Sequence, residues 1–190
     1  MRKSVLVTAG ASGIGLAIAE AFSGVDSEVH IVDVDRSAIH GLPDHFHRTT
    51  ADVSNEGRVV KLIEGHIARF GKIDVLVNCA GIQGPTAIIE DVSLAEWKRC
   101  LAGNLDAMYL TTRESVPYMK QRQEGNIINI SSTAGWHGYP LRAPYAASKW
   151  GVIGFTKSLA MELGVYGLRC NVICPGSVEG DRMDRVIAAE

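Results

Sequence analysis

The N-terminal part of the chain places a strand, a glycine-rich turn and a helix in direct succession. Residues 3–8, KSVLVT, predict a short buried parallel strand. The turn AGASGIG occupies residues 9–15, and apolar residues then recur at helical spacing, at Leu16, Ile18, Ala19 and Phe22. Glycines let backbone amides approach an anion, and the start of a helix offers unpaired N–H groups and a positive dipole end. The segment therefore predicts the beginning of a dinucleotide-binding unit, although any tight strand-to-helix turn can use glycine.

Strands and helices alternate along the rest of the chain. Further strands are predicted at residues 28–33, 46–51, 74–78, 126–130 and 169–174. Helices are predicted after residue 15, over residues 55–70 and 93–119, and in a segment that carries Tyr145 and Lys149 and ends near residue 163. The alternation predicts an α/β fold, a doubly wound (Rossmann-like) parallel sheet in a single domain covering residues 1–190. In such a fold, ligands bind at the carboxyl ends of the strands.

The second predicted strand ends in an acid, Asp33, about 20 residues after the glycine turn. A carboxylate at this position hydrogen-bonds the ribose hydroxyls of an adenosine and repels a 2′-phosphate. Val34 and Asp35 follow directly, and Ser12 in the turn supplies no cation. The sequence therefore favours NAD as the cofactor over NADP. A solvent-exposed acid at a strand end is the alternative interpretation.

Tyr145 and Lys149 lie four residues apart and so share one face of a predicted helix. A tyrosine hydroxyl is a poor base at neutral pH, and a neighbouring ammonium favours its phenolate form. Such a pair can remove a proton from an alcohol or return one to a carbonyl. Ser132, at the carboxyl end of the fifth strand, is placed to hold the substrate oxygen. The same spacing also occurs in solvated helical pairs, so the pair alone does not define a site.

Several motifs occur in a fixed order along essentially the whole chain. Residues 8–15 form a TGxxxGxG-like turn, Asp52 follows the third strand, residues 78–81 read NCAG, and PG at residues 175–176 follows the sixth strand. Together with Asn104, Ser132, Tyr145 and Lys149, this ordered set resembles the short-chain dehydrogenase/reductase (SDR) family.

The resemblance implies a role for each member of the catalytic tetrad, which is Asn104, Ser132, Tyr145 and Lys149. Tyr145 is expected to act as the general acid/base, and Lys149 to hold the nicotinamide ribose. Ser132, selected over Ser131 by its spacing to Tyr145, is expected to orient the substrate oxygen. Asn104 is expected to hold a water that links Lys149 to solvent. The expected cofactor-binding residues are Gly10, Ser12, Gly13, Ile14, Gly15, Asp33, Asp52, Val53, Asn78, Ala80, Gly81, Tyr145, Lys149, Pro175, Gly176 and Val178.

The chain departs from the family pattern at several positions. Ala9 stands where the first glycine of the turn usually lies, which predicts slight strain there. Cys79 replaces the second asparagine of the NNAG motif, and Gly180 replaces a threonine that often contacts the nicotinamide carboxamide. Family members are also longer, so the C-terminal helical lid and last strand are expected to be missing from these 190 residues.

The sequence predicts an NAD-dependent oxidoreductase that transfers hydride between the nicotinamide and a secondary alcohol or ketone. One alternative is an NADPH-dependent 3-oxoacyl-thioester reductase, against which Asp33 argues. A second is a non-catalytic NAD-binding regulatory protein, against which the intact tetrad argues. Residues 136–141 and Gln83 are expected to form part of the wall of the substrate pocket.

The expected partner is a small-molecule alcohol or ketone. The formal net charge is −2 without a block of like charge, which argues against nucleic acid, and no apolar run approaches a membrane span. The four cysteines form no CxxC motif and no signal peptide is evident, which predicts reduced thiols and a cytoplasmic location. No metal is expected, because nothing completes a site around His45 and His47. The resemblance implies a homodimer or homotetramer.

Overall fold

The computed structural model describes residues 2–179 and residue 188, and its strands form one parallel sheet. The spatial order of the strands is β3-β2-β1-β4-β5-β6, and every neighbouring pair is parallel. Each predicted strand overlaps its observed counterpart, and the prediction of a doubly wound α/β fold is confirmed. The strands are β1 (Lys3–Thr8), β2 (Ser27–Asp33), β3 (His47–Thr50), β4 (Val75–Asn78), β5 (Gly125–Ile130) and β6 (Leu168–Ile173).

Helices follow most of the strands. They are α1 (Gly13–Ser23), α2 (Arg36–Gly41), α3 (Glu56–Phe70), α4 (Leu94–Leu101), α5 (Ala107–Arg122) and α6 (Ala143–Gly164). The single long helix expected over residues 93–119 is instead α4 and α5 joined by a π-helical segment, Ala102–Asp106. The short helix α2 was not predicted, and its first turn is capped by the carboxylate of Asp35. None of the helices within residues 2–179 combines the length and apolar character needed to cross a bilayer.

Strand β1 is buried on both faces of the sheet. Val5 and Val7 belong to one apolar cluster, with Ala19 of α1, whereas Leu6 belongs to the other, with Leu62 of α3. Side chains alternate between the two faces of a strand, so successive residues of β1 enter opposite cores. Each fully buried Val or Leu contributes about 1.5–3 kcal/mol, and coverage of both faces is what a parallel sheet requires.

The chain reverses its direction of travel across the sheet between β3 and β4, which lie on opposite sides of β1. This topological switch point opens a crevice at the carboxyl ends of β1 and β4. Thr8 joins the two strand ends, because its hydroxyl oxygen accepts hydrogen bonds from the N–H groups of Cys79 (3.0 Å) and Ala80 (3.1 Å). The fold therefore places a ligand crevice where the sequence motifs converge.

Candidate active site

A cleft of about 1280 Å³ runs along the carboxyl ends of the strands. Most of the predicted site residues line it, and they come from the carboxyl ends of all six strands, from the segments that follow those ends, and from α6. Those that line the cleft are Ser12, Gly13, Ile14, Gly15, Asp33, Asp52, Val53, Ala80, Gly81, Ser132, Tyr145, Lys149, Pro175, Gly176 and Val178. Gly180 lies outside the described residues. The topology therefore gathers into one cavity residues that are far apart in the sequence.

The glycine turn forms a closely packed cradle at the start of α1. A Cβ on Gly15 would lie 2.0 Å from the carbonyl oxygen of Ala9, so only glycine allows the helix to start against the turn. The side chain of the N-cap, Ser12, makes no capping hydrogen bond. No described residue accepts the N–H groups of Gly13, Ile14 or Gly15. These free donors at the positive end of a helix dipole fit a pyrophosphate group.

The backbone at Ala9 adopts the left-handed region, with φ of 49°. This region favours glycine, so the alanine at this position stores strain in the turn, as the sequence predicts.

Two acids line the end of the cleft that lies beyond the glycine turn. One carboxylate oxygen of Asp33 accepts the N–H of Ala11 (3.2 Å), and the other accepts the N–H of Asp35 (3.0 Å). Each oxygen keeps further acceptor capacity, and its orientation is fixed by the turn. Asp52 is exposed, and one of its oxygens accepts both the N–H (2.9 Å) and the hydroxyl (2.7 Å) of Ser54. The fixed carboxylate of Asp33 fits the hydroxyls of an adenosine ribose.

Tyr145 and Lys149 face the cleft from α6. The ammonium nitrogen of Lys149 lies 5.7 Å from the centre of the Tyr145 ring, and it donates a 3.0 Å hydrogen bond to the carbonyl of Ile130. Lys149 is only 4% exposed, whereas Tyr145 is half-buried. Within residues 2–179 the Tyr145 hydroxyl makes no hydrogen bond, so it is available to an incoming group.

The two adjacent serines at the end of β5 have different environments. Ser131 is buried and its hydroxyl donates to the carbonyl of Lys149 at 2.8 Å, so it joins β5 to α6. Ser132 is half-buried, and its hydroxyl oxygen accepts the N–H of Ala134 at 3.1 Å while its own proton remains available. The next residue, Thr133, donates its N–H to the carbonyl of Pro175 at 2.9 Å, which holds the loop after β6 beside the serine. The geometry favours Ser132 over Ser131 as the group that meets a substrate.

Asn104 lies in the π-helical segment and is fully buried behind the cleft wall. Its amide nitrogen donates to Ser148 (2.9 Å) and Cys100 (3.4 Å), and its oxygen accepts the N–H of Ile82 (2.6 Å). A Cβ on Gly81 would lie 2.9 Å from the Asn104 oxygen and 3.5 Å from the Lys149 nitrogen. Asn104 and Lys149 thus converge on Gly81, although Asn104 itself does not line the cleft. Short π segments are frequent at functional sites.

Two further predicted residues, Gly10 and Asn78, also lie behind the cleft. A Cβ on Gly10 would lie 2.9 Å from the side chain of Ile31, so this glycine allows the turn to pack on β2. The Asn78 oxygen accepts the hydroxyl of Thr111 at 2.7 Å, and its nitrogen donates to Thr112 (3.1 Å) and Asn129 (2.9 Å). These contacts are the reason that Asn78 supports the sheet rather than facing the cavity.

Two residues that shape the cleft, Thr8 and Arg142, receive no individual role from the sequence, although Thr8 begins the TGxxxGxG-like turn. Thr8 joins the ends of β1 and β4, as described above, and its position at the end of the first strand was a usable signal. Arg142 is buried in the wall, three residues before Tyr145. A single arginine before a helix has no sequence signature, because its burial depends on packing. Of the predicted pocket wall, Gln83, His137, Gly138 and Tyr139 line the cleft, whereas Trp136, Pro140 and Leu141 do not.

The parallel fold, the anion-accepting turn and the tyrosine, lysine and serine in one cleft define a dinucleotide-dependent oxidoreductase. A model of the short chain dehydrogenase family matches residues 3–190, and the chain belongs to this family, which binds NAD or NADP. It is 34% identical over 187 residues to 2-dehydro-3-deoxy-L-rhamnonate dehydrogenase (NAD(+)) of Sphingomonas sp. strain SKA58, covering 97% of this chain and 75% of that protein. It is also 34% identical over 184 residues to the 3-oxoacyl-[acyl-carrier-protein] reductase FabG of Thermotoga maritima, covering 93% and 74%.

Solved structures have the same architecture. An NAD+-bound xylitol dehydrogenase superposes with a TM-score of 0.94 at 30% identity, over 97% of this chain and 74% of that one. The protein ElxO with NADP bound superposes with a TM-score of 0.91 at 28% identity, over 100% and 79%. The similar structures thus include one with NAD+ bound and one with NADP bound, and the similar proteins include dehydrogenases and reductases.

Proposed function

We propose that the protein is an NAD-dependent oxidoreductase that transfers hydride between the nicotinamide and a secondary alcohol or ketone. The observation that carries this proposal is the set of Ser132, Tyr145 and Lys149 in one cleft with the anion-accepting turn. The hydroxyl of Tyr145 makes no hydrogen bond within residues 2–179, so it can exchange a proton with a substrate without breaking an internal hydrogen bond.

Each residue has a distinct task in the proposed reaction. Tyr145 takes the hydroxyl proton of an alcohol, or returns it to a carbonyl. Ser132 donates a hydrogen bond to the same substrate oxygen and so orients it. Lys149 holds the ribose next to the nicotinamide and places a positive charge beside the tyrosine ring. The bound nicotinamide supplies the acceptor or donor of the hydride.

Asn104 is proposed to support this set from behind the wall. Its oxygen and the Lys149 ammonium both approach Gly81, which leaves the space between them free of a side chain. A water at this point would connect the lysine to the interior hydrogen bonds of the π-helical segment. Because Asn104 already bonds to Ile82 and Ser148, it is pre-oriented for that task.

NAD is the proposed cofactor, in preference to NADP. The support is Asp33, whose carboxylate is fixed by two backbone N–H groups at the end of β2 and lines the cleft. A 2′-phosphate at the ribose would meet this negative charge at close range. The candidate contacts to the rest of the cofactor are those of the turn after β1 and of Asp52, Val53, Ala80, Gly81, Pro175, Gly176 and Val178.

Self-association and a cytoplasmic location are proposed as well. Helices α5 and α6 carry large apolar side chains at their outer surfaces, including Tyr109 (45% exposed), Trp150 (53%) and Met161 (83%). Such surfaces suit a homodimer or homotetramer. Within residues 2–179 the four cysteines form no disulfide bond, which fits a reducing compartment. Sedimentation at micromolar concentration tests the assembly, and a stable monomer would contradict it.

The test of the proposed activity is NADH formation from a panel of sugars, polyols, hydroxy acids, steroid alcohols and hydroxyacyl thioesters, run in parallel with NADP. Turnover of any alcohol with NAD supports the proposal. Turnover of thioesters alone, with NADP preferred, would favour the reductase alternative. Binding of NAD without turnover across the panel would favour the regulatory alternative.

A further inference from the structure

Arg142 is a buried cation in the wall of the cleft, directly before helix α6. Arg142 is 2% exposed and lines the same cavity as Tyr145. The guanidinium carbon lies 5.4 Å from the centre of the Tyr145 ring and 5.7 Å from that of Tyr139. A positive charge is thus held next to the proposed reacting hydroxyl.

The hydrogen bonds of this guanidinium are incomplete. One terminal nitrogen donates to the carbonyl of Gln83 at 3.0 Å, and the other makes only a long contact of 3.4 Å with the hydroxyl of Thr86. The Nε atom of Arg142 is buried and has no partner. Among residues 2–179 no carboxylate pairs with the guanidinium, although Arg2, Arg48, Arg113 and Arg122 all form ion pairs. Burying a charge without a counter-ion is unfavourable, and the two tyrosine rings offset only part of that cost.

The position of Arg142 along the chain increases this imbalance. It occupies the N-cap of α6, a helix of 22 residues, and its side chain makes no capping hydrogen bond. The start of a helix carries a partial positive charge that stabilises anions and disfavours cations. The guanidinium and the helix dipole therefore add to one positive region beside Tyr145. The described part of the chain supplies no negative side chain that pairs with it.

We propose that Arg142 binds a carboxylate of the substrate, which makes the substrate a short hydroxy acid or the corresponding keto acid. This inference rests on the proposed function of the cleft. The short distance between the guanidinium and the Tyr145 ring requires the acid group to lie close to the carbon that carries the hydroxyl. A planar guanidinium with one unpaired Nε–H and a weakly held terminal N–H suits a carboxylate, because it offers directed donors together with the charge.

A purely structural role for Arg142 would give a different result. In that role the side chain would only join the Gln83 loop to α6, and the charge of the substrate would not matter. The two roles are separated by pairs of substrates that differ in their charge and by a single methyl group, such as 3-hydroxybutyrate and its methyl ester, or lactate and methyl lactate. A sulfonate and a phosphate analogue of each hydroxy acid distinguish a carboxylate site from a general anion site.

The experiment measures kcat and KM for each pair with NAD, and separately measures binding of the same compounds to the NADH-loaded protein by calorimetry. We expect at least a tenfold preference for an acid over its ester in kcat/KM, carried mainly by KM. Arg142→Met should reduce that ratio to about one and abolish binding of the acid, whereas Arg142→Lys should retain part of both. Circular dichroism and thermal melting establish whether each variant is folded. If Arg142→Met is unfolded, the acid-to-ester ratio of Arg142→Lys tests the inference instead.

Arg99 provides a matched control, because it lines the same cleft from α4 but is exposed. Arg99→Met should leave the acid-to-ester ratio within about twofold, since an exposed charge is screened. Equal binding of acid and ester, retention of the preference in Arg142→Met, or an equal loss in Arg99→Met would overturn the inference. A parallel loss of NADH affinity in Arg142→Met would also overturn it, by assigning the arginine to the cofactor. Binding of acids without turnover would instead leave the inference standing and contradict the proposed activity.

Discussion

The ammonium of Lys149 donates a hydrogen bond of 3.0 Å to the carbonyl oxygen of Ile130, the last residue of β5. The next residue, Ser131, donates its hydroxyl to the carbonyl of Lys149 itself at 2.8 Å. The end of the strand and the middle of α6 are therefore joined at two points around one lysine. Because these internal contacts order the long side chain of Lys149, a group that binds to its ammonium loses little rotamer entropy.

Lys149→Met is expected to weaken NAD binding by at least tenfold, because the ribose loses a charged donor that is already in place. Fluorescence titration with NADH measures this. Lys157→Met serves as the control, since Lys157 is exposed on the same helix and does not line the cleft. Unchanged NADH affinity in Lys149→Met would contradict the proposed role.

Tyr145→Phe is expected to lower kcat on the order of 100-fold or more while NADH affinity stays close to that of the native protein. The ring still packs, and no internal hydrogen bond of the described residues is lost with the hydroxyl. Stopped-flow or steady-state kinetics of NADH formation, with the best substrate of the panel, measure the change in kcat. Tyr166→Phe is the control, because that ring lies outside the cleft under Lys120. Near-native turnover in Tyr145→Phe would remove the basis of the catalytic assignment.

Asp33→Asn is expected to narrow the preference for NAD over NADP, which we predict to be at least tenfold, or about 1.4 kcal/mol, in the native protein. Asparagine removes the charge and keeps one acceptor oxygen, which can serve one of the two backbone N–H groups, of Ala11 or of Asp35, that the carboxylate accepts. Titration with both reduced cofactors gives the ratio. Asp35→Asn is the comparison, since it keeps the N-cap of α2 and should change the ratio less. Equal affinities for the two cofactors in the native protein would exclude the role of Asp33.

Ala9→Gly is expected to raise the free energy of unfolding by about 0.5–1 kcal/mol. Relief of the left-handed backbone at Ala9 is worth about 1–2 kcal/mol, and the greater flexibility of an unfolded glycine returns about 0.5–1 kcal/mol of it. Urea unfolding in reducing buffer measures the change. Ala11→Gly should have the opposite sign, because Ala11 is buried and its φ is not positive. Destabilisation by Ala9→Gly would show that the turn is not strained at this position.

Local signals in the sequence were sufficient for much of the fold. The alternation of strands and helices, the glycine turn and the shared helix face of Tyr145 and Lys149 depend on short-range spacing, which a sequence displays directly. The roles of these two residues, and of Ser132 and Asn104, came from the resemblance to the family and not from spacing alone. The sequence predicts ordinary helix for the π-helical segment around Asn104, because a single inserted residue in a helix barely changes its apolar pattern.

The features that sequence reasoning missed depend on contacts between distant residues. Asn78 belongs to a buried polar group with Thr111, Thr112 and Asn129, which lie on α5 and β5 and so meet only in the folded chain. Arg142 is likewise buried because it packs against the Gln83 loop, and this packing leaves its Nε atom without a hydrogen-bond partner. Neither environment follows from the identity or the spacing of the residue itself.

Another such group is a pair of buried histidines between β2 and α3. The Nδ1 atoms of His30 and His66 lie 3.0 Å apart, and their other ring nitrogens bond to Thr49 (2.9 Å) and Ser4 (2.7 Å). Only one of two facing ring nitrogens can carry the shared proton, so the pair is compatible with neutral rings and not with two charged ones. Burial, followed by the nearby charges of His66, His47 and Arg69, lowers the pKa of His30 to about 3. Burial also lowers the pKa of His66 to about 4.

These shifts predict that stability falls on mild acidification. In the unfolded chain each histidine titrates near its ordinary pKa of about 6.5, so above that pH the pair contributes no pH dependence. Below it the unfolded state binds protons that the folded state refuses, and stability is lost progressively as the pH falls from about 6.5 towards 4 and 3. Between pH 7 and pH 5 the loss in the free energy of unfolding should be on the order of 2 kcal/mol or more, in a range where most carboxylates do not yet titrate.

Urea unfolding at a series of pH values measures this loss. The double variant His30→Gln, His66→Gln should show a flatter dependence of stability on pH, even if it is less stable at pH 7. His45→Gln changes an exposed histidine and should leave the slope unchanged. An identical slope in the double variant and the native protein would show that the buried pair does not set the acid sensitivity.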